Sequence, residues 1–279
     1  MRFVAITAIV LASTTFAAVA ATAVDRSWQA LPHVAPAPAG NPTTIDKVEL
    51  GKMLYFDPRL SSSGNVSCFS CHNVMEGGDD HRPTSIGVHG HVGGRNAPTV
   101  WNAAFLSSQF WDGRAATLED QAKGPPANAI EMGMPNLDAV IGRVRNIPGY
   151  EPYFVQAFGA GDVVTMDNVA KAIAAYERTL ITPNSAYDRY AKGDAKALTE
   201  QQVRGLNTFA DVGCTSCHQG PTFSGPPLPV GTGFFMKFPT FPDSPYVAKH
   251  DFLSDTGRAS ATKNDADKNM WRVPGLRNL

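Results

Sequence analysis

Cys68-Phe69-Ser70-Cys71-His72 and Cys214-Thr215-Ser216-Cys217-His218 are one pentapeptide pattern written twice, and together they use all four cysteines of the chain. Cys-x-x-Cys-His is the attachment signature of c-type haem. Two thiols three residues apart can each bond one vinyl group on the same edge of a porphyrin, and the next residue then falls beneath the iron. His72 and His218 are therefore the expected proximal nitrogen ligands, with Cys68, Cys71, Cys214 and Cys217 as thioether anchors. The expectation is two covalently bound haem c groups. A four-cysteine zinc ribbon would separate its pairs by only about 15–20 residues, and a thioredoxin-like pair needs no histidine. Disulfides within the pairs would be strained and would leave both histidines unexplained.

Export fits this cofactor, which is attached outside the bacterial cytoplasm. Met1-Arg2-Phe3 precedes an apolar stretch from Val4 to about Ala20, followed by small residues up to Ala23. Residues 1–23 read as a cleaved secretory signal peptide, and the expected location is the periplasm. A membrane anchor is the competing reading, but the Ala-rich end with its Ala-x-Ala sites favours cleavage. Residues 24–43 contain the proline-rich run Pro32 to Pro42 and read as an extended arm. The formal net charge is −1 with no long run of Lys or Arg. This argues against nucleic acid and against an anionic membrane surface as partners.

The remaining pattern is helical. Leu137, Val140, Ile141 and Val144 form a stripe behind Asn136, an N-cap residue. Val169, Ala172, Ile173, Tyr176 and Leu180 form another behind Asp167. Thr199 with Gln202 makes a capping box ahead of Val203, Leu206 and Phe209. A further helix is expected from Ile45 to Phe56 after Thr43 or Thr44, and no convincing strand alternation is seen. The helices before the two haem motifs suggest a duplication. The fold class is mainly α: two cytochrome c-like domains, each with one covalently bound c-type haem, spanning 44–182 and 183–279.

The loop between the motifs adds a resemblance. Pro83-Thr84-Ser85-Ile86-Gly87, Arg95-Asn96-Ala97-Pro98-Thr99-Val100, Gln109-Phe110-Trp111-Asp112-Gly113-Arg114-Ala115 and Ile130-Glu131-Met132 come in that order. Ile147-Pro148-Gly149-Tyr150, Ala175-Tyr176-Glu177-Arg178-Thr179-Leu180 and Trp271-Arg272-Val273-Pro274 follow. Together they resemble the bacterial di-haem cytochrome c peroxidases over essentially the whole chain after the arm.

The resemblance implies unequal haems. The one on His72 becomes the peroxide site and the one on His218 the electron store, fed by a small cytochrome c or a blue copper protein. Hydrogen peroxide is the implied substrate, and the family allows a homodimer. Glu131 matches the family acid/base, whereas taken alone a Glu before Met-Gly-Met is more often a solvated loop charge. Gln121 is a lesser candidate for a distal hydrogen bond. Trp111 matches the tryptophan between the haems, and Asn96 a residue at a calcium site. A removable histidine ligand often follows Ile-Gly in relatives. This chain has Val88 there, which leaves His89, with His91 as the alternative; should neither reach the iron, the site stands open without prior reduction. His81 reads as a surface residue.

The end of the chain qualifies the second haem. Its family ligand is a methionine well beyond Trp-Arg-Val-Pro, and after His218 only Met236 and Met270 occur. Met270 is the one candidate iron ligand, although its place beside Trp271 reads better as packing. The sequence is expected to be a truncated form of a longer protein, with the C-terminal domain incomplete. Two competing functions remain. One is a relative of the tryptophylquinone-forming di-haem oxidases; the other is a di-haem electron-transfer cytochrome without peroxidase activity.

Overall fold

The structure is a computed structural model that describes residues 26–278; the signal-peptide reading of residues 1–23 lies outside the described residues. Among the described residues no helix is long and apolar enough to cross a membrane.

Helix α1, Ile45–Phe56, starts at Thr44, whose hydroxyl accepts from the Lys47 amide and so satisfies one orphan donor of the first turn. After a 3-10 turn at Pro58–Leu60, α2 is the single turn Cys68–Cys71. The short helices α3 (Leu118–Ala122) and α4 (Gly124–Ala127) lie in the long inter-motif segment. Next come α5 (Leu137–Arg145), α6 (Tyr150–Phe158) and α7 (Met166–Glu177). The second half holds α8 (Ala186–Ala191), α9 (Glu200–Asp211), α10 (Pro245–Lys249) and α11 (Ala259–Thr262).

The core forms where α1 crosses α7. Leu50, Leu54 and Tyr55 interlock with Val169, Ala172, Ile173 and Tyr176, and Val144 and Phe154 close the cluster from α5 and α6. Gly51 permits the crossing: a Cβ there would lie 1.9 Å from the Ala172 carbonyl oxygen. The expected cap of α5 holds, with Asn136 Oδ1 accepting from the Ala139 amide at 2.8 Å. So does the Thr199–Gln202 box of α9. The start of α7 differs from expectation. Thr165, not Asp167, is its N-cap, because the Thr165 hydroxyl reaches the Asn168 amide; Asp167 sits in the first turn, facing the helix dipole and paired with Lys123 at 2.6 Å. The helix ends at Glu177, so Leu180 is buried from a turn beyond it.

Two further features escaped the sequence pattern. The arm is extended but is part of the fold: Leu31 is fully buried, its amide donates to Asp188 Oδ1 at 2.7 Å, and Asn41 Nδ2 donates to Glu119 Oε1 at 2.7 Å. It straps the two halves of the chain together. A small ribbon also forms, β1 (Phe235–Lys237) antiparallel to β2 (Met270–Arg272). Its neighbours clasp the Trp111–Arg114 loop: Arg95 bridges Asp112 at 2.6 Å and Asp255 at 2.7 Å, and Arg258 Nη1 donates to the Asp112 carbonyl oxygen at 3.0 Å.

Candidate active site

Both motif histidines are oriented by backbone carbonyl oxygens of other residues. His72 is the C-cap of α2, with its amide donating to the Cys68 carbonyl oxygen at 2.9 Å and its carbonyl oxygen accepting from the Tyr55 hydroxyl at 2.7 Å. Its ring Nδ1 lies 3.0 Å from the Pro98 carbonyl oxygen. A carbonyl can only accept, so Nδ1 carries the proton and the Nε2 lone pair is left free, the arrangement that second partners impose on metal-binding histidines. Burial lowers the His72 pKa, which keeps the ring neutral and able to ligate. His218 repeats the device, with Nδ1 2.8 Å from the Phe223 carbonyl oxygen. All four cysteines are free thiols. Burial pushes Cys68 up to about 12 and raises Cys71 as well. Free paired thiols beside an imidazole with an open Nε2 fit a covalently held haem at both motifs.

A cavity of about 550 Å³ opens at the first motif, within the size range of cofactor sites. Its lining brings Cys71 and His72 together with Asn96, Trp111, Gln121 and Glu131. These residues span sixty positions in sequence and come from α2, α3 and three loops. Of the sequence-predicted residues of the peroxide site, the cavity thus unites all but Cys68 and the removable ligand.

Glu131 is held for proton work. Asn128 Nδ2 donates to Glu131 Oε1 at 2.7 Å, while the Asn128 carbonyl oxygen accepts from the amides of Glu131 at 3.1 Å and Gly133 at 2.8 Å. Burial raises the Glu131 pKa, partly offset by the Arg114 charge. The loop carrying Ile86-Gly87 packs directly on this turn, because Gly87 has no Cβ: one would lie 1.9 Å from the Ile130 carbonyl oxygen. Val88 then donates its amide to the Glu131 carbonyl oxygen at 2.9 Å and turns its side chain into the core, 1% exposed.

That geometry decides where the histidines go. The position after Ile-Gly is the inward one, and valine occupies it. His89 follows in the left-handed region with φ 57°, and both His89 and His91 are exposed and absent from the cavity lining. The structure does not bring the expected removable ligand, His89 or its alternative His91, to His72. His81 is on the surface, as expected, near Asp79.

Asn96 lies at the junction of the halves. Its Nδ2 donates to the Arg82 carbonyl oxygen at 2.6 Å, and its own carbonyl oxygen accepts from Trp111 Nε1 at 2.8 Å. Oδ1 is the atom left for a cation. Among the described residues no three His, Cys, Asp or Glu side chains converge on one point, so a calcium site here would draw on backbone oxygens. Met270 lies in β2 opposite Lys237, and neither it nor Met236 lines a second cavity of about 440 Å³ that adjoins residues 221–228 after His218.

Three residues of the site were not singled out, although two of them, Glu177 and Arg272, stand in the quoted motifs. Asn128 has a local signal, the Asn-x-x-Glu spacing that lets one amide hold both the turn and the acid. Glu177 lines the first cavity with its Oε2 buried and unpartnered, and burial raises its pKa to about 8. Arg272 lies buried against Trp111. Burial from distant elements gives these last two their character, and no local pattern encodes it.

Residues 45–196 match the profile of a family described as di-haem cytochrome c peroxidase. The chain is 43% identical over 252 residues to the cytochrome c peroxidase Ccp of Escherichia coli (strain K12), covering 88% of this chain and 50% of that protein. It is 46% identical over 242 residues to the cytochrome c551 peroxidase of Pseudomonas aeruginosa, covering 86% of this chain and 67% of the relative. The chain thus spans about half to two thirds of the length of these relatives. Among solved structures, a MauG-like protein associated with microbial copper homeostasis superposes with a TM-score of 0.73 at 28% identity, over 89% of this chain and 74% of that one.

Proposed function

The chain belongs to the di-haem cytochrome c peroxidase family, and we propose that it reduces hydrogen peroxide to water in the periplasm with electrons from a small cytochrome c or blue copper protein. The observation that carries this reading is the shared cavity, in which a histidine with a free Nε2 and a burial-perturbed carboxyl line one space. In this reading two haem c groups are held by Cys68 and Cys71 with His72, and by Cys214 and Cys217 with His218. When bound, they supply an iron for peroxide to meet and a store for the second electron; the reaction consumes one peroxide, two electrons and two protons and yields two waters.

The protein groups do the rest. Asn128 fixes Glu131 through Oε1, which leaves Oε2 to take the proton from one peroxide oxygen and deliver it to the departing one. Gln121 offers an amide hydrogen bond across the same space. Phe110, Val100, Leu118 and Pro125 give the cavity apolar walls, and in a low dielectric environment the Glu131 hydrogen bonds are strengthened. Trp111 stands in the wall toward the second cavity and serves the transfer of the stored electron. With Val88 in the inward position, the site is open without reductive priming. One calcium ion at Asn96 would tie the loops that bear Trp111 and Asn96.

A second reading is the tryptophylquinone-forming di-haem oxidase relative implied by the sequence resemblance, which would oxidise a protein tryptophan with the same haem pair. Steady-state oxidation of reduced cytochrome c separates the two. The peroxidase reading expects two cytochromes consumed per peroxide, and no peroxide-dependent oxidation of any small redox protein would contradict it.

A further inference from the structure

A third cavity, of about 420 Å³, adjoins the first. Phe110, Arg114, Pro125, Asn128 and Glu131 line both, so these residues form the partition between them. Beyond the partition the third cavity meets solvent, because Arg114, Ala116, Asp120 and Gly124 in its lining are exposed. Ala116, Asp120 and Gly124 belong to its lining and not to that of the first cavity. It is an open cleft with Glu131 set in its floor.

Phe110 is the largest side chain of the partition, and its backbone is unusual. Its φ is 65°, a left-handed conformation that is costly for a bulky residue and persists only where the surroundings over-determine it. Here they do. The Phe110 carbonyl oxygen accepts from the Gly113 amide at 3.2 Å and from Arg272 Nε at 3.2 Å. The Arg114 guanidinium lies 3.4 Å from the ring centroid and is itself held by both Asp112 carboxylate oxygens at 3.1 Å. From the cleft the ring meets Gly124, where a Cβ would lie 3.5 Å from Cζ. The missing side chain leaves the cleft free over the ring.

A group that hands on protons needs a side that meets water, and a reactant is best admitted where that group stands. The cleft supplies both at Glu131. Resting on the peroxidase reading, we propose that this cleft is the access route for peroxide to the first cavity, and that Phe110, clamped by Arg114, sets its width and so restricts the site to small peroxides. Hydrogen peroxide is close to water in size and can exchange hydrogen bonds with Asn128 and Glu131 as it passes. A hydroperoxide with a bulky aryl group has to displace the Phe110 ring, which the Arg114 clamp and the pinned backbone resist.

The test is stopped-flow binding of cyanide to the haem of His72 in the haem-loaded protein with only its second haem reduced. The variants are Gly124→Leu and Ala116→Phe, both in the cleft alone. Inward and outward passage share one path, so a narrowed path slows association and dissociation alike and leaves the affinity in place. Both rates should fall by about tenfold in either variant, with the dissociation constant unmoved. Gly94→Leu, at another exposed edge of the first cavity, should leave the cyanide rates as they are. Phe110→Ala should widen the route: kcat/KM for cumene hydroperoxide should rise by about tenfold or more relative to that for hydrogen peroxide. If Phe110→Ala loses its haem, the cleft variants decide alone. Unmoved rates in both cleft variants, slower association matched by a weaker affinity, slowing confined to Gly94→Leu, or an unchanged peroxide preference in a folded Phe110→Ala would overturn the proposal. Cyanide rates that respond as expected, in a protein that oxidises no small redox protein with peroxide, would overturn the peroxidase reading and leave the route standing.

Discussion

Trp111 and Arg272 are joined twice: the Arg272 amide donates to the Trp111 carbonyl oxygen at 2.8 Å, and the Arg272 guanidinium lies 5.2 Å from the Trp111 ring centroid. Trp111 lines the first cavity and Arg272 the second, so this pair is the thin wall between them. The indole is further fixed by its Nε1 bond to Asn96.

Replacing Trp111 by Phe removes the larger ring and the bond to Asn96 while keeping an apolar side chain. Peroxide-dependent turnover should fall by about tenfold or more, corresponding to at least ~1.4 kcal/mol on the barrier. Both haems should stay attached. Rapid-mixing measurement of electron transfer from the second haem checks this, and an unchanged rate would exclude Trp111 from the path.

Glu131→Gln retains the bond from Asn128 in size but cannot carry the proton. General acid–base groups contribute about 10²–10⁴-fold, and kcat should fall by that order with the haem absorption unchanged. Because burial raises the Glu131 pKa, activity should decline on the acid side at a pH above the ordinary glutamate range. The carboxylate form takes up the proton, so the loss comes as pH falls. A pH profile of kcat/KM shows that limb in the wild type, and in the Gln variant the limb should be gone.

Glu177 predicts a different pH effect, on stability. Its folded pKa is raised to about 8 by burial, above the ~4.3 of an unfolded glutamate. Between those values the native state holds one more proton than the unfolded state, so stability falls as pH rises through the window. Glu177→Gln should flatten that decline in denaturant titrations from pH 5 to pH 8. An identical slope in the variant would show that Glu177 ionises freely in the fold.

Asp188 and Arg277 form a buried pair at 2.6 Å, and Asp188 also holds the Leu31 amide of the strap. Burial alone would raise the Asp188 pKa, but Arg277 and the hydrogen bonds from Leu31 and Ser185 outweigh it and hold it down at about 2. Its contribution is therefore full above the unfolded value of ~3.9 and is lost as pH falls toward 2. Arg277→Met leaves the carboxylate buried without its cation and should cost about 3–5 kcal/mol. Thermal unfolding at neutral pH measures it, and acid unfolding should begin at higher pH in the variant.

What the sequence made legible was local chemistry. The haem motifs, the Asn136 cap of α5 and the Thr199–Gln202 box are read within four or five residues, and the two caps are found where the pattern put them. Glu131, Trp111 and Asn96 were placed by order of motifs, and one cavity unites them with Gln121. The failures are tertiary in origin. The outward turn of His89 depends on Gly87 meeting the Ile130 carbonyl oxygen and on Val88 entering the core. The ribbon has three residues per strand, too short for an alternation to be seen, and exists through pairing across more than thirty residues. Helix α9 carries the expected stripe, yet of its residues only Ala210 is buried, so amphipathic spacing alone did not measure how deep the second half packs.

The central claim is that the cavity joining His72 and Glu131 reduces peroxide with an electron stored at the haem of His218. Stopped-flow absorption of the protein, with only that second haem reduced and then mixed with one equivalent of hydrogen peroxide, tests it most directly. The account predicts rapid oxidation of the second haem, slowed by about 10²-fold or more in Glu131→Gln, followed by consumption of two reduced cytochromes per peroxide. A second haem that stays reduced after peroxide is added, or equal rates in the two proteins, would contradict it.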